Sequence, residues 1–395
     1  MITHISVKNF KSLNDVSLRL GRRNVLVGPN MAGKTNLISL FRFLTQMVLT
    51  TTPGAYGLPN AINKNGGFAA LAWRGSDSNL ISLSLEGAFD ERNSDNKPKI
   101  WRYSLDILGD RSRGSIMVQE EALTISTATG QFPLIQKDPS TGRRILFNQA
   151  GAILARVDDP TRSALEYELP DWEGNLLRTQ FASFYFYFLI PQLMKQVNPV
   201  TSPRFLGESG ENLSSWLMMI QTRFPESFAR IVSAVKDVLP DVVNIITWPT
   251  QQSTVFVASS ERFLRSPVNV WEMSDGELAF IALLSLIFGP EELGAALFCV
   301  EEVENHLHPR LIETLIKLHS QRLLDPESMA GQVIVTTHSP QVVDKVDLDE
   351  IIVVSKRNGE TVCTRPGDKP HLRQLLKDEE IGLGDLLYSG ALSEE

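Results

Sequence analysis

A short segment near the N-terminus has the residue types and the spacing needed to bind phosphate groups. It runs from Gly28 to Thr35, reads Gly-Pro-Asn-Met-Ala-Gly-Lys-Thr, and matches the pattern G-x-x-x-x-G-K-[ST]. Its glycines allow a tight turn in which successive backbone N–H groups point into one concavity. Lys34 supplies a positive charge for β- and γ-phosphates, and Thr35 supplies a hydroxyl ligand for Mg²⁺. The segment therefore predicts a site for nucleotide phosphates and magnesium.

The residues on either side of this segment favour the same interpretation. The apolar run Asn24-Val-Leu-Val27 predicts a strand before it, and the amphipathic stretch from Asn36 to Leu44 predicts a helix after it. Strand, glycine loop and helix form the context in which this pattern binds phosphate, because the helix dipole favours negative charge at the helix N-terminus. A simple glycine turn with a surface lysine is the alternative, and these flanks make it the weaker interpretation.

Two consecutive carboxylates follow a second apolar run. Leu297-Phe-Cys-Val300 predicts a buried strand, and Glu301 and Glu302 come directly after it. Ligands of open α/β folds bind at the carboxyl ends of the strands, which is where both side chains are expected. One carboxylate there can hold Mg²⁺, and the next can orient or deprotonate an attacking water. An ordinary acidic turn is the alternative, and the glycine loop elsewhere in the chain favours the functional role.

Two further segments have residue types suited to phosphate recognition. His338 follows an apolar strand predicted to end near Thr336, where an imidazole can hydrogen-bond a γ-phosphate; a structural histidine is the alternative. Met273-Ser-Asp-Gly-Glu277 precedes an apolar helix, and Ser274 and Glu277 have the spacing of a capping box. The same hydroxyl, glycine and exposed N–H groups that make a well-capped helix start also make an anion site.

These four segments occur in the order Walker A, signature motif, Walker B and switch histidine. In that order the chain resembles an ABC-type ATPase head of the RecF, SMC and OLD kind, and most of all the compact bacterial ATPases of the AAA family. Three other segments extend the resemblance towards both ends of the chain: Asn9-Phe-Lys-Ser-Leu13, Glu301-Glu-Val-Glu-Asn-His-Leu-His-Pro309 and Leu383-Gly-Asp-Leu-Leu-Tyr-Ser-Gly390. The resemblance covers nearly the whole chain and is weakest between residues 50 and 180.

The resemblance implies an ATPase that hydrolyses ATP to ADP and phosphate with the help of Mg²⁺. It implies that Thr35 and Glu301 hold the Mg²⁺, that Glu302 is the catalytic carboxylate, and that His338 senses the γ-phosphate. The residues that it implies for nucleotide binding are Lys11, Gly28, Pro29, Asn30, Met31, Ala32, Gly33, Lys34, Thr35, Asn36, Ser274 and Gly276.

Two of these nucleotide-binding residues are expected to act between subunits. The resemblance implies a homodimer in which two heads enclose two ATP molecules, so that Ser274 and Gly276 contact the nucleotide held by the other copy. A higher oligomer is a further expectation. The dimer is expected to loosen when hydrolysis removes the γ-phosphate that bridges Ser274 to the opposite glycine loop.

Three positions depart from the family's pattern. Glu301 stands where many relatives have aspartate, and its longer side chain is expected to weaken or shift the bound Mg²⁺. Val303 replaces a proline, and Met31 replaces the second glycine that is common in the loop.

Composition restricts the class of protein. The chain has 395 residues, of which 43% are hydrophobic and 21% charged, as in soluble globular proteins. Its net charge of −8 argues against nonspecific attraction to nucleic acid or anionic membrane. Its two cysteines predict neither a disulfide framework nor a zinc site. No signal-like core or membrane-length apolar run is present, since the longest run, Leu278 to Phe288, is too short to span a bilayer, so a cytoplasmic protein is expected.

The order of predicted elements favours an α/β fold with a split ATPase core. Alternating strands and helices after residue 270 predict a parallel, doubly wound sheet whose remaining strand and phosphate loop are the N-terminal ones. We expect residues 1–150 to combine the first part of this core with an antiparallel β lobe. Residues 151–240 are expected to form a mostly helical insertion, and residues 241–395 the second part of the core.

Three local patterns predict particular structures. The stretch from Thr50 to Gly67 is rich in Gly, Pro and Asn, which predicts a loop or an insertion. The aromatic run from Phe184 to Phe188 could stack bases, but its apolar flanks favour a buried strand. Asn358-Gly359 lies between apolar runs and predicts a β-hairpin.

Several biological tasks for an ATP-dependent switch are disfavoured by the sequence. Transport is disfavoured because no membrane segment is present, SMC-type tethering because long heptad repeats are lacking, and an OLD-type nuclease because little chain follows His338. Two hypotheses of different class stay open. One is a DNA-directed or defence-associated ATPase coupled to a separately encoded effector; the other is a slow nucleotide-gated scaffold that sequesters a partner protein without contacting nucleic acid.

Overall fold

The structure, a computed structural model, describes residues 1–49, 57–92, 98–128, 130–324 and 331–368, together with Gly384. The segment Leu383–Gly390 that contributes to the family resemblance lies outside the described residues apart from Gly384, as does the beginning of the glycine-rich stretch, residues 50–56. Within these ranges, none of the helices combines the length and the apolar character needed to cross a membrane.

The chain alternates between strands and helices along most of its length. The strands are β1 (Ile2–Phe10), β2 (Leu13–Arg19), β3 (Arg23–Val27), β4 (Leu80–Arg92), β5 (Pro98–Gly109), β6 (Ile116–Thr127), β7 (Gly130–Lys137), β8 (Arg144–Phe147), β9 (Ile153–Val157), β10 (Phe184–Tyr187), β11 (Asn198–Pro199), β12 (Val242–Pro249), β13 (Thr254–Glu261), β14 (Val268–Asn269), β15 (Leu297–Val300), β16 (Gln332–Thr337), β17 (Ile351–Arg357) and β18 (Glu360–Thr364). The α-helices are α1 (Lys34–Val48), α2 (Gly57–Lys64), α3 (Phe68–Leu71), α4 (Gly174–Ala182), α5 (Pro191–Met194), α6 (Leu213–Arg223), α7 (Pro225–Val238), α8 (Asp275–Ile287), α9 (Pro309–Leu324) and α10 (Pro340–Val343).

The predicted antiparallel lobe is an eight-stranded sheet in the order β2-β1-β4-β5-β6-β7-β8-β9. Its strands alternate buried and exposed residues because one face packs on the core while the other faces solvent; β5, for example, buries Trp101, Tyr103, Leu105 and Ile107 in turn. The expected antiparallel β lobe is confirmed, and its strands join the N-terminal hairpin of β1 and β2 in one sheet.

The second sheet is the split core. Its order is β10-β15-β16-β3-β17-β18, and the first five strands run parallel. The N-terminal strand β3 lies between β16 and β17, more than 300 residues away in sequence, so the predicted interruption of the core by the middle of the chain is confirmed. Since parallel strands end at one edge, this topology brings the residues after β3, β15 and β16 to the same edge.

The edge strand β18 is added by the predicted hairpin. It pairs antiparallel with β17, and Asn358 and Gly359 occupy the turn with φ angles of 51° and 87°. Positive φ at both central residues is the geometry that an Asn-Gly hairpin turn requires. The hairpin prediction is confirmed.

The first four residues of the aromatic run form the buried strand β10, and Phe188 follows the strand with 45% of its surface exposed. Phe184, Phe186 and Tyr187 are almost fully enclosed, and β10 pairs in parallel with β15 at the edge of the core sheet. The guanidinium of Arg42 lies 4.5 Å from the centre of the Phe186 ring. The run is therefore a structural strand, as predicted, and not an open platform for stacking bases.

The middle of the chain is less purely helical than expected. Helices α6 and α7 do form, and Pro225 opens α7, but a small sheet of β11, β13, β12 and β14 packs beside them. Inside residues 151–240, β9 belongs to the antiparallel sheet and β10 to the core sheet. The boundaries at 150 and 240 thus do not follow the sheets, because pairing partners of these strands come from distant parts of the chain.

The stretch predicted as a loop or insertion contains a helix, α2. Its Gly and Asn content is unfavourable for helix, but Leu58, Ala61 and Ile62 are buried. The carboxylate of Glu166 accepts the N–H groups of Gly57 (3.2 Å) and Leu58 (2.8 Å), which are at the start of the helix. A side chain about a hundred residues away thus accepts hydrogen bonds from the N–H groups at the start of the helix. The local sequence of the helix does not indicate this capping residue.

We expect Glu166→Ala to lower the free energy of unfolding by about 3 kcal/mol, because it removes the acceptor of several buried backbone N–H groups. The comparison is Glu168→Ala, whose exposed carboxylate pairs with Arg178 at the surface and is expected to change the free energy by less than about 1 kcal/mol. Urea denaturation followed by circular dichroism measures both. Equal effects of the two substitutions would contradict the capping role.

Candidate functional site

The glycines of the phosphate loop are required by close packing against the β17–β18 hairpin. Gly28 and Gly33 have φ angles of 157° and 113°. A Cβ at Gly28 would overlap the carbonyl oxygen of Val354, and a Cβ at Gly33 would overlap the hydroxyl of Thr361. The hairpin therefore packs against the loop and leaves no room for a side chain at either glycine.

Met31 occupies a position that relatives fill with glycine. Its φ of 65° is in the left-handed region, which costs a residue with a Cβ about 1 kcal/mol. The side chain is 86% exposed, so it projects from the loop without meeting other atoms. Met31 therefore keeps a backbone conformation typical of glycine and adds an exposed apolar side chain beside the candidate site.

Lys34, the first residue of α1, lies across the loop. Its Nζ donates to the carbonyl oxygens of Gly28 (2.5 Å) and Pro29 (3.1 Å). Burial lowers the pKa of Lys34, and the nearby carboxylates of Glu304 and Glu302 oppose that shift. The ammonium thus bonds to the loop, and its charge interacts with the carboxylates of Glu302 and Glu304 on the segment after β15.

Thr35 and Glu301 meet at the other side of the loop. The Thr35 hydroxyl donates to Glu301 Oε2 at 3.1 Å. Burial raises the pKa of Glu301, while the Thr35 hydroxyl and the Arg42 guanidinium lower it. Two adjacent oxygen ligands of one Mg²⁺, each about 2.1 Å from the metal, lie about 3 Å apart. The hydroxyl and carboxylate therefore fit a shared Mg²⁺ despite the longer glutamate side chain.

Glu302 is held by its neighbours on the loop after β15. It has a φ of 50°, its backbone N–H donates to Thr336 Oγ1 at 2.9 Å, and its carboxylate accepts the Asn305 amide at 2.6 Å. The next residue, Val303, donates its N–H to the Thr336 carbonyl at 3.3 Å, a bond that the family's proline is unable to make. These bonds hold the carboxylate at the end of β15.

His338 follows β16 and is tied to the same loop. Its backbone N–H donates to Glu304 Oε1 at 2.8 Å, and its ring Nδ1 lies 3.2 Å from the same oxygen. The imidazole is 49% exposed. Glu304 thus joins the end of β16 to the end of β15.

Lys11 lies in the turn between β1 and β2, beside the start of α1. It has a φ of 51°, and burial, followed by the Arg42 charge, lowers its pKa. Its neighbour Ser12 accepts the side-chain amide of Asn36 at 2.6 Å and shares a hydrogen bond with Thr361 at 2.6 Å. The turn is therefore fastened to both the helix and the hairpin that frame the phosphate loop.

The signature residues stand at the start of α8. Ser274 is exposed, and its hydroxyl caps the helix by accepting the Glu277 N–H at 3.2 Å. A Cβ at Gly276 would lie 2.6 Å from the carbonyl oxygen of His306, so this glycine is required by contact with the loop that follows Glu302. Lys195 pairs with Asp275 at 2.7 Å. The start of α8 is thus linked mechanically to the loop that carries Glu302.

Several residues of the site were not singled out from the sequence. They are Ser12, Arg42, Glu304, Asn305, Thr336 and Thr361. Glu304 and Asn305 lie within the Glu301–Pro309 segment that carried the family resemblance, so their types and positions were a usable signal. Thr361, by contrast, lies on an edge strand, and only the tertiary structure brings it to the phosphate loop.

Comparisons with known proteins agree with this geometry. A family model described as "AAA domain, putative AbiEii toxin, Type IV TA system" matches residues 23–344. A search of curated proteins found no match.

Solved structures show the same fold at low identity. A structure of an Smc head bound to the C-terminal winged-helix domain of ScpA is 13% identical, with a TM-score of 0.52 over 92% of this chain and 97% of that one. A Pyrococcus furiosus Smc head with an extended coiled coil, bound to the C-terminal domain of ScpA, is 11% identical, with a TM-score of 0.50 over 95% and 99% of the two chains. The protein has the fold of an SMC-type ATPase head, and the chain belongs to the AAA domain family whose model spans residues 23–344.

Proposed function

We propose that this protein is an ABC-type ATPase switch that binds ATP with Mg²⁺, hydrolyses it to ADP and phosphate, and changes its assembly state when it does so. The observation that carries the proposal is the convergence of Lys34, Thr35, Glu301, Glu302 and His338 at one edge of the core sheet. They come from three strands that are remote in sequence and adjacent in space.

Each side chain then has a defined task. The loop from Gly28 to Lys34 binds the phosphates through backbone N–H groups and the lysine charge. Thr35 and Glu301 hold the metal, which when bound neutralises charge on the phosphate oxygens. Glu302 orients or deprotonates the attacking water, and His338 contacts the terminal phosphate.

We propose that Ser274 and Gly276 act on nucleotide held by a second copy of the chain. Ser274 is exposed at the start of α8, a helix of 13 residues, and a helix N-terminus favours an anion. Gly276 contacts His306, which lies on the same loop as Glu302. A movement of Ser274 at the neighbouring subunit's nucleotide would therefore be transmitted to Glu302 in its own subunit's site. Residues 1–150 and 241–395 would supply the two parts of each head, with residues 151–240 between them.

The dimer is tested by following ATP turnover against protein concentration. If two copies complete each site, turnover per subunit rises with concentration and reaches a plateau where the dimer forms, as seen in parallel by light scattering. If turnover per subunit stays constant and the protein is shown to be monomeric at every concentration, the dimeric site is rejected. ATP binding by the single subunit is a separate question that this result does not decide.

The switch is proposed to act in the cytoplasm on a separately encoded effector, in a DNA-directed or defence-associated task. The solved Smc heads were bound to a separate protein, ScpA, which supports a partner for this chain as well. The net charge of −8 favours DNA contact through that partner. Stimulation of turnover by DNA ends or single strands, with partner present, supports this task.

The second candidate is a slow nucleotide-gated scaffold that holds a partner protein. Large apolar side chains that are exposed around the small sheet of β11 to β14 favour this function. Trp248, Phe263 and Trp271 are each about half exposed or more. Tight ATP-dependent binding of a partner without any response to nucleic acid would favour this function over the first. Affinity purification with and without a hydrolysis-blocking variant identifies that partner.

A further inference from the structure

A chain of hydrogen bonds runs behind the phosphate loop and ends on one of its carbonyl groups. The side-chain amide of Asn36 donates to the hydroxyl of Ser12 at 2.6 Å, and the hydroxyls of Ser12 and Thr361 lie 2.6 Å apart. The Thr361 hydroxyl donates to the carbonyl oxygen of Ala32 at 2.9 Å. The chain of bonds therefore connects helix α1, the turn between β1 and β2, and strand β18 to the loop itself.

Only one order of donors and acceptors satisfies these bonds. A carbonyl oxygen only accepts hydrogen bonds, so the single proton of the Thr361 hydroxyl must go to Ala32. The bond between the two hydroxyls then takes its proton from Ser12, whose own oxygen accepts the Asn36 amide. Each group in such a row polarises the next, which strengthens the last bond. The row therefore ends with a hydroxyl that is aimed at the Ala32 carbonyl.

The carbonyl group of Ala32 determines where the next N–H group points. The peptide between Ala32 and Gly33 is trans, so its C=O and its N–H point in opposite directions. The oxygen is held by Thr361, whose side chain lies in the buried contact between loop and hairpin, so the Gly33 N–H is directed away from the hairpin. Within the described part of the chain this N–H has no hydrogen-bond partner. It is therefore available to a phosphate oxygen.

The glycine alone does not fix that orientation. Gly33 has a φ of 113°, and a residue without a Cβ adopts positive and negative φ about equally readily. Without a partner for its oxygen, the peptide before Gly33 would be free to turn over and present a carbonyl that repels phosphate. A Cβ at Gly33 would overlap the Thr361 hydroxyl, so that hydroxyl both fills the space behind the loop and holds the carbonyl.

We propose that Thr361 is a positioning residue for the phosphate site: its hydroxyl holds the Ala32 carbonyl towards the hairpin, so that the Gly33 N–H faces the phosphates of bound ATP. The inference rests on the proposed function, because it assigns a task within the same site. Thr361 acts on the phosphates only through the loop peptide. An N–H that bonds the nucleotide before and during the reaction stabilises substrate and transition state equally, so its loss raises the dissociation constant and the KM and leaves kcat nearly unchanged.

Thr361→Val, which keeps the shape of the side chain and removes its hydroxyl, tests the inference. We expect it to weaken binding of a fluorescent ATP analogue and of inorganic tripolyphosphate by the same factor, roughly tenfold, and to lower kcat by less than about twofold. Thr361→Ser keeps the hydroxyl and is expected to restore most of the affinity. The matched control is Thr364→Val, the same change at a partly exposed threonine of the same strand, which is expected to leave the affinity unchanged.

Thermal unfolding without nucleotide separates this role from a purely structural one. If Thr361 only stabilised the fold, Thr361→Val would lower the unfolding midpoint, and the folded protein would bind tripolyphosphate as tightly as the wild type. That result would overturn the proposal, and so would equally weak binding in Thr361→Ser and Thr361→Val.

A second variant decides the matter if Thr361→Val does not fold. Ser12→Ala removes the donor to Thr361 and is expected to weaken tripolyphosphate binding about threefold, whereas unchanged affinity would overturn the proposal. Because affinity is measured, a wild-type protein that binds ATP without hydrolysing it still decides the inference. Absence of ATP binding in the wild type would reject the proposed function, and this inference with it.

Discussion

Glu302→Gln is expected to lower ATP turnover by about 10²- to 10⁴-fold while ATP still binds, and to accumulate the ATP-bound dimer. The amide has the size of the carboxylate but neither accepts a proton from water nor carries its charge. Its position is set by Asn305 and by the backbone bond to Thr336, so the loop is expected to keep its shape. Phosphate release measures turnover, and light scattering with Mg²⁺ and ATP measures the dimer.

The matched control for this substitution is Glu226→Gln, which changes an exposed carboxylate in the first turn of α7. It is expected to leave turnover and assembly as in the wild type. Unchanged turnover in Glu302→Gln would show that the catalytic carboxylate has been wrongly assigned. Glu304, whose carboxylate also acts on the charge of Lys34, would then be the next candidate.

Lys34→Ala is expected to weaken ATP binding about a hundredfold. The ammonium lies over the loop and is positioned to contact the phosphates, and losing charge-assisted hydrogen bonds to an anion costs about 3 kcal/mol. The fold is expected to tolerate the change, since the hydrogen bonds of the lysine within the described part of the chain go to two loop carbonyls, and burial already disfavours its charge. Titration with a fluorescent ATP analogue measures the affinity.

Two comparisons make the Lys34 result specific. Lys317→Ala removes an exposed charge from α9 and is expected to leave the affinity unchanged. Thermal unfolding in the absence of nucleotide is expected to give similar midpoints for Lys34→Ala and the wild type, whereas added ATP stabilises only the wild type. Equal affinity of the two proteins for ATP would exclude Lys34 from the phosphate site.

The order of strands in the core sheet places Lys34 and Glu302, the residues with the two largest expected effects, at the same edge. Lys34 follows β3 and Glu302 follows β15, with β16 and its His338 between them. Loss of binding and loss of hydrolysis are therefore expected from neighbouring residues at one edge. Combining Lys34→Ala with Glu302→Gln is expected to abolish the trapped dimer, because trapping requires bound ATP.

Much of the candidate site was predictable because its residues occur in short sequence segments. The glycine loop, the two carboxylates after an apolar strand and the capped start of α8 each combine residue types and spacing within a few positions. The order of these segments then indicated a split parallel core, which the structure has; the position of β3 between β16 and β17 was not predicted.

Local patterns failed where distant residues complete the element. Helix α2 forms in a stretch rich in Gly and Asn because Glu166 caps it and α1 covers its apolar side. The boundary at residue 150 divides the antiparallel sheet from its last strand, β9, because strand pairing depends on neighbours in space.

By itself the sequence predicted the α/β fold and proposed which residues bind phosphate, hold magnesium and activate water. Only the tertiary structure showed which remote residues hold them in place. Thr361 supports Gly33 and Ser12 across almost the full length of the chain, and Glu304 meets His338 at the ends of two separate strands. Spacing along a chain encodes periodicity and turn chemistry, but contacts between remote segments arise only when burial of the common core brings those segments together.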